Sequence, residues 1–154
     1  MTPVDASQIT EQIYIAAHPK ARHSEQVLAW NVSLVICMIF HPPPVVYWRD
    51  PFRLVWLPNF DSPHLPISLS MLKKGTREAL PVIRDGKSVM IYCREGRHRS
   101  VAMTCCALIG LGYSADDAIK LVKEKRRVAD PEVWYIQERI RKFEQTWQAS
   151  IPPE

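Results

Sequence analysis

Eight residues, Cys93 to Ser100 (Cys-Arg-Glu-Gly-Arg-His-Arg-Ser), constrain this chain more than any other stretch. An apolar run, Val89 to Tyr92, leads into the cysteine, and a small apolar segment, Val101 to Leu111, leaves the serine. A strand, a glycine-containing loop and a helix in that order turn successive backbone N–H groups inward and aim a helix N-terminus at one spot. A cysteine at the head of the loop faces those groups and the helix dipole, both of which favour a thiolate. Thiols in such surroundings titrate at roughly 3.5–7.5 instead of about 8.5. Arg99 can fold back across the loop with a planar donor fork suited to a pair of phosphate oxygens. A nucleophile, an anion cradle and a fixed cation thus share one short loop.

This Cys-x5-Arg-Ser pattern after a strand resembles the signature loop of the cysteine-dependent phosphatases, His-Cys-x-x-Gly-x-x-Arg-Ser/Thr. The resemblance implies that Cys93 is the nucleophile, Gly96 the loop glycine and Arg99 the phosphate-binding arginine. It makes Ser100 the hydroxyl that assists the leaving sulfur, and Arg94, Glu95, Gly96, Arg97 and His98 the phosphate-binding loop. Tyr92 stands where the family usually has a histidine that lowers the pKa of the cysteine. A merely structural cysteine among basic residues would leave the glycine, the serine, the strand and the helix unexplained. A metal site on Cys93 and His98 lacks a further ligand at a usual zinc spacing, so no metal and no cofactor is expected.

With 154 residues the chain is about one domain long. Its 47% hydrophobic and 23% charged composition is that of an ordinary globular protein. The longest apolar run, Val32 to Phe40 interrupted by Ser33, is too short to span a bilayer, which takes about 20 residues. The opening Met-Thr-Pro-Val-Asp has no basic stretch followed by an apolar core, so no secretory leader is expected. Cysteines at 37, 93, 105 and 106 form no regular framework, which predicts a reducing, cytoplasmic setting. The net charge of +4 would attract anionic substrates but is too dilute to argue for nucleic-acid binding.

Residues 8–17 alternate loosely, as a first strand or hairpin, and are similar to the "Leu-Tyr-Ile-Gly" opening of compact dual-specificity phosphatases. His18-Pro19 ends the pattern. Residues 21–30 predict a short helix with Val27, Leu28 and Trp30 on its apolar side. Val32 to Phe40 predicts a strand buried on both faces, with Cys37 as a small core residue. His41-Pro-Pro-Pro44 is a rigid surface loop. Phe52 to Leu57 predicts a strand, and Pro58 to Pro63 the loop after it.

Asp61 in that loop precedes Cys93 by about thirty residues. In the resembled family the general acid comes from a mobile loop at about this separation, after such a strand. A leaving oxygen must be protonated as its bond to phosphorus breaks, and a carboxyl over the pocket can do this. Asp50 and Asp85 compete for the role, but both sit beside turn formers with no matching strand before them. A helix is read between Leu65 and Ile83, weakened at Gly75 and Pro81. Lys87 to Tyr92 is the strand that delivers Cys93. The helix after Ser100 holds Cys105 and Cys106 in the core and stops at Gly110 and Gly112.

Ser114 caps the next helix, with Asp117 three residues on. Its basic end, Lys123 to Arg127, reads as a solvated terminus that complements the dipole. Asp130 and Pro131 read as the N-cap and first position of a further helix start. An Asp-Pro pair also occurs at the general acid of the low-molecular-weight phosphatases, whose cysteine loop lies near the N-terminus, so the cap suffices here. A last amphipathic helix, Val133 to about Ala149, carries Trp134, Ile136, Ile140, Phe143 and Trp147, and Ile151 to Glu154 is a tail.

These elements predict one α/β domain over 1–154, with a core of about 8–148 and a central mixed, largely parallel sheet flanked by helices. The resemblance implies a compact dual-specificity-type phosphatase. Its expected partner is a phosphorylated protein or an anionic phosphorylated small molecule. The basic loop interior, Arg97 and His98, is also similar to the Cys-x-x-Gly-Lys-His-Arg-Thr loop of inositol pyrophosphate phosphatases, and basic loops occur in phosphoinositide phosphatases. A rhodanese-like sulfur carrier also uses a loop cysteine, but it needs neither Asp61 nor the Arg-Ser ending. A non-catalytic phosphate-binding module would be expected to have lost Cys93, Arg99 or the acid.

Overall fold

The computed structural model describes residues 2–150. Five strands, Ala6–Thr10 (β1), Ile13–Ala16 (β2), Val32–Cys37 (β3), Arg53–Trp56 (β4) and Ser88–Tyr92 (β5), form one sheet in the order β1-β2-β5-β3-β4. The β1–β2 hairpin is antiparallel, and β2, β5, β3 and β4 run parallel. The helices are Ser24–Ala29 (α1), Leu69–Arg84 (α2), Arg99–Gly110 (α3), Ala115–Lys125 (α4) and Trp134–Ser150 (α5). This is the mixed, largely parallel sheet with flanking helices that the apolar runs predict.

Parallel strands covered on both faces read as continuous apolar runs, and β5 obeys this: every residue from Ser88 to Tyr92 is buried. Because β5 is the middle strand, its end lies at the centre of the sheet, with Ala16 and Cys37 directly beside Tyr92. Ligands of parallel sheets bind outside the carboxyl ends of the strands. Cys93 therefore emerges where such a site is built.

Behind the loop, α3 packs on β2 and β5 and is enclosed by α2, α4 and α5. Its residues from Ser100 to Ile109 are all buried, Cys105 and Cys106 among them. The approach of α2 is close because two glycines permit it. A Cβ at Gly75 would lie 2.4 Å from Met103 Sδ, and one at Gly110 would lie 2.6 Å from Thr76 Cγ2. Gly75 therefore sits inside α2 as a contact point. Gly110 is a packing residue of α3, while Gly112, at φ +110°, makes the turn after it.

Other boundaries differ from the sequence reading. Leu28 is 40% exposed, because α1 begins only at Ser24 and turns Val27 inward. Phe40 lies beyond β3 and is exposed. The α2 helix starts at Leu69 under the cap of Ser68 and leaves Leu65 outside. Pro81 is tolerated within α2 because it and Arg77, whose carbonyl loses its helical donor, are both exposed. Ser114 caps α4 as predicted, accepting from Asp117 N. Asp130 instead caps a turn, accepting from Val133 N at 3.2 Å, and α5 begins at Trp134. Trp134 is 69% exposed and is no part of the buried stripe Ile136, Ile140 and Phe143. The tail from Ile151 to Glu154 lies outside the described residues.

Candidate active site

The loop from Cys93 to Ser100 is held by its carbonyls. Arg94 O accepts from His18 N at 3.2 Å, Arg97 O from Asp130 N at 3.0 Å, and His98 O from Ala102 N at 2.9 Å. Glu95 O and Gly96 O accept from the Arg126 guanidinium, at 2.9 Å from Nη2 and 2.8 Å from Nε. Among the described residues, the amides of residues 94–98 find no backbone acceptor. Outward carbonyls tied to the scaffold leave the amides facing the loop interior, as an anion cradle requires. Gly96, at φ +66°, makes the turn that alternation needs.

Inside the loop, Cys93 is buried and its Sγ lies 3.1 Å from Ser100 Oγ, within reach of a hydroxyl–sulfur hydrogen bond. Ser100 is the second residue of α3, so the sulfur also faces that helix's N-terminus. Arg99 is anchored by Nη1 donating to Asn59 O at 2.8 Å, while its buried Nε has no protein partner and remains a donor for a ligand oxygen. A pocket of about 260 Å³ opens over these groups, lined by Asp61, Cys93, Arg94, Glu95, Arg97, His98 and Arg99.

Asp61 reaches this pocket on the loop after β4, and none of the competing aspartates lines it. Its Oδ2 lies 2.8 Å from His98 Nδ1, and its Oδ1 accepts from Tyr135 OH at 2.7 Å. Burial alone would raise this carboxyl, but the hydrogen bonds from His98 and Tyr135, aided by the charge of Arg99, outweigh it. They hold the carboxyl below the usual carboxylate range. Burial and the neighbouring Asp61 push the Tyr135 phenol up to about 12, so it stays a donor.

Tyr92 is fully buried, and its hydroxyl lies toward Cys37 without a well-formed hydrogen bond. Burial and the Cys37 thiol push this phenol far above the ordinary tyrosine range, so it stays neutral.

The sequence-predicted residues Cys93, Arg94, Glu95, Arg97, His98, Arg99 and Asp61 thus come together around one pocket, with Ser100 beneath and Gly96 behind. Arg126, which the sequence places in a solvated helix end, is instead 2% exposed and also bonds Asp5 Oδ1 and Ser7 Oγ at 3.2 and 3.1 Å. Tyr135 and Asn59 carry no motif that would single them out.

A parallel sheet with a cysteine-headed anion loop at its central strand and an aspartate across the pocket is the arrangement that the resemblance to compact dual-specificity phosphatases implies. No family model matches the chain. Mouse dual specificity phosphatase 28 is 36% identical over 94 residues, covering 60% of this chain and 56% of its own length. The chain spans about half the length of the curated relatives it matches. A crystal structure of a mouse putative dual specificity phosphatase complexed with zinc tungstate superposes with a TM-score of 0.85 at 28% identity, covering 99% of this chain and 96% of that one. The structure of PTPMT1 in complex with PI(5)P has the same fold, with a TM-score of 0.82, 24% identity and coverage of 94% and 97%.

Proposed function

We propose that this protein hydrolyses phosphate monoesters of phosphoproteins through a cysteinyl-phosphate intermediate. The observation that carries the reading is the placement of Cys93 Sγ, at 3.1 Å from Ser100 Oγ, in one pocket with Arg99 and Asp61. Cys93 attacks phosphorus in line with the leaving group while Asp61 protonates the leaving oxygen, and water activated by Asp61 then releases phosphate. Arg99 and the inward amides hold the equatorial oxygens through both transition states. Ser100 hydrogen-bonds the sulfur and makes it a better leaving group in the second step.

The names of the relatives favour a phosphoprotein substrate. Arg94 and Arg97, both exposed on the pocket wall, favour a second reading, a polyanionic inositol phosphate or phosphoinositide. Such extra cations would add affinity for a ligand with more than one phosphate.

The setting we propose is reducing and cytoplasmic, in keeping with four free, buried cysteines. No helix among the described residues is long and apolar enough to cross a membrane, and we propose no nucleic-acid partner.

The test is phosphate release from phosphotyrosine and phosphoserine peptides beside inositol phosphates and phosphoinositides, with EDTA present and Cys93→Ser as control. Turnover of the peptides that the control loses is the expected result. A preference for the polyanions would move the substrate to the inositol class. Silence across the panel, with vanadate still bound, would overturn the catalytic reading.

A further inference from the structure

His98 immediately precedes the phosphate-binding arginine, yet its imidazole does not point into solvent. The side chain is 16% exposed, and Nδ1 lies 2.8 Å from Asp61 Oδ2. The Tyr135 hydroxyl that donates to Asp61 Oδ1 is itself 3.4 Å from His98 Nδ1, and the two rings meet edge-on with centroids 5.8 Å apart. Three segments remote in sequence (the loop after β4, the cysteine loop and the first turn of α5) so converge on one carboxylate.

Other charges face the same cluster. Arg99, at the start of α3, adds positive potential at Asp61. Asp130, from the turn before α5, places Oδ2 at 3.9 Å from His98 Nε2, a nitrogen that is buried and without a hydrogen-bond partner. Arg97 and Asp130 both act on Tyr135. Two carboxylates thus face one imidazole, Asp61 at Nδ1 and Asp130 on the side of Nε2.

A carboxyl surrounded by donors holds its negative charge, and an ionised carboxylate has no proton for a leaving group. The imidazole bonded to it supplies what is missing. We propose that Asp61 and His98 act as one proton-carrying pair, in which His98 Nδ1 supplies the proton that Asp61 hands to the leaving oxygen. This rests on the reading of Asp61 as the general acid.

In the first step the Cys93 sulfur forms the S–P bond and the P–O bond to the leaving group breaks, its electron pair staying on that oxygen. The Nδ1 proton moves to Asp61 Oδ2 and passes from there to the leaving oxygen, leaving a neutral imidazole and an ionised Asp61. In the second step a water oxygen bonds to phosphorus while its proton passes to Asp61 and on to His98. The S–P pair returns to sulfur, restoring thiolate and imidazolium. His98 acts through Asp61 and is a positioning residue, and the proton lost with rising pH belongs to the pair.

The experiment measures kcat/KM, which reports the step that expels the leaving group and not the hydrolysis common to both substrates, against pH for wild type, Asp61→Asn and His98→Gln on two aryl phosphates. Nitrophenolate leaves from p-nitrophenyl phosphate with little help, whereas phenolate leaving from phenyl phosphate needs the proton. Unchanged vanadate affinity establishes that the loop is intact, and His98→Asn repeats the test if glutamine disturbs it. For His98→Gln the expected result is a loss of about tenfold or more on phenyl phosphate near pH 7, with p-nitrophenyl phosphate little affected. The alkaline limb of the phenyl phosphate profile should also move about one pH unit or more toward acid. An equal loss on both substrates, or a wild-type profile on phenyl phosphate, overturns the pairing. If Asp61→Asn does not separate the two substrates, the acid assignment itself fails. If it separates them and His98→Gln does not, only the pairing fails.

Discussion

Replacing Arg126 by methionine keeps most of the side chain's length and removes the donors that hold the cysteine loop from behind. Four partners are lost, but they do not weigh equally. The ion pair to Asp5, whose side chain is 69% exposed, is screened and contributes little. The bonds to Glu95 O and Gly96 O come from a guanidinium that is 2% exposed. Each bond from a charged donor is worth about 1.5–3 kcal/mol, so about 3–6 kcal/mol is removed. These values are already net of desolvating the donor, so the lower end of the range is the conservative expectation. A net loss of about 3 kcal/mol follows, or a fall in Tm of about 6–12 °C for a domain of this size.

The same change frees two loop carbonyls, so the cradle should lose order along with stability. Thermal unfolding followed by circular dichroism gives the first quantity, and vanadate titration at a temperature where the variant is folded gives the second. Oxyanion affinity should fall by about tenfold or more, equivalent to about 1.4 kcal/mol. Arg126→Lys, which can reach one carbonyl at a time, should fall between the two. An Arg126→Met variant within about 0.5 kcal/mol of wild type, with vanadate affinity unchanged, would refute the role of Arg126 as the strut of the loop.

Two further perturbations probe neighbouring parts of the structure. Ser100→Ala should leave phosphoenzyme formation near wild type and slow its breakdown by about tenfold, the value of one hydrogen bond to the leaving sulfur. Pre-steady-state kinetics on p-nitrophenyl phosphate would show this as a burst larger than that of wild type. Gly75→Ala places a methyl 2.4 Å from Met103 Sδ and 3.3 Å from Leu57 Cδ1. It should cost about 1–3 kcal/mol in urea denaturation, toward the lower value if the flexible Met103 swings aside.

Local chemistry makes the centre of this site legible in the sequence. A strand, a glycine loop and a helix occupy consecutive residues, so Cys93, Gly96, Arg99 and Ser100 are related by covalent geometry alone. Asp61 is reachable through the family resemblance, which implies an acid on a loop after a strand about thirty residues ahead of the cysteine. The outer support is harder to see because it depends on tertiary contacts. Arg126 lies in a run of basic residues that reads as a solvated helix end. Yet it continues the buried stripe of α4, Ala115, Ala118, Ile119 and Val122, at helical spacing. Phase is the available signal, and residue type conceals it. Tyr135 offers no such clue, since its hydroxyl meets Asp61 only once α5 has docked on α3. Gly75 reads as a weakness of α2 because propensity counts the lost Cβ and cannot see the Met103 side chain that occupies its place.

The central claim is that Cys93 carries the phosphoryl group between substrate and water. The direct measurement is acid quench of the protein during turnover of p-nitrophenyl phosphate, followed by peptide mass mapping. A phosphoryl group on the peptide that contains Cys93, absent from Cys93→Ser and accumulating in Ser100→Ala, is the predicted result. Phosphate release at a steady rate with no phosphorylated Cys93 peptide in either active form would contradict it.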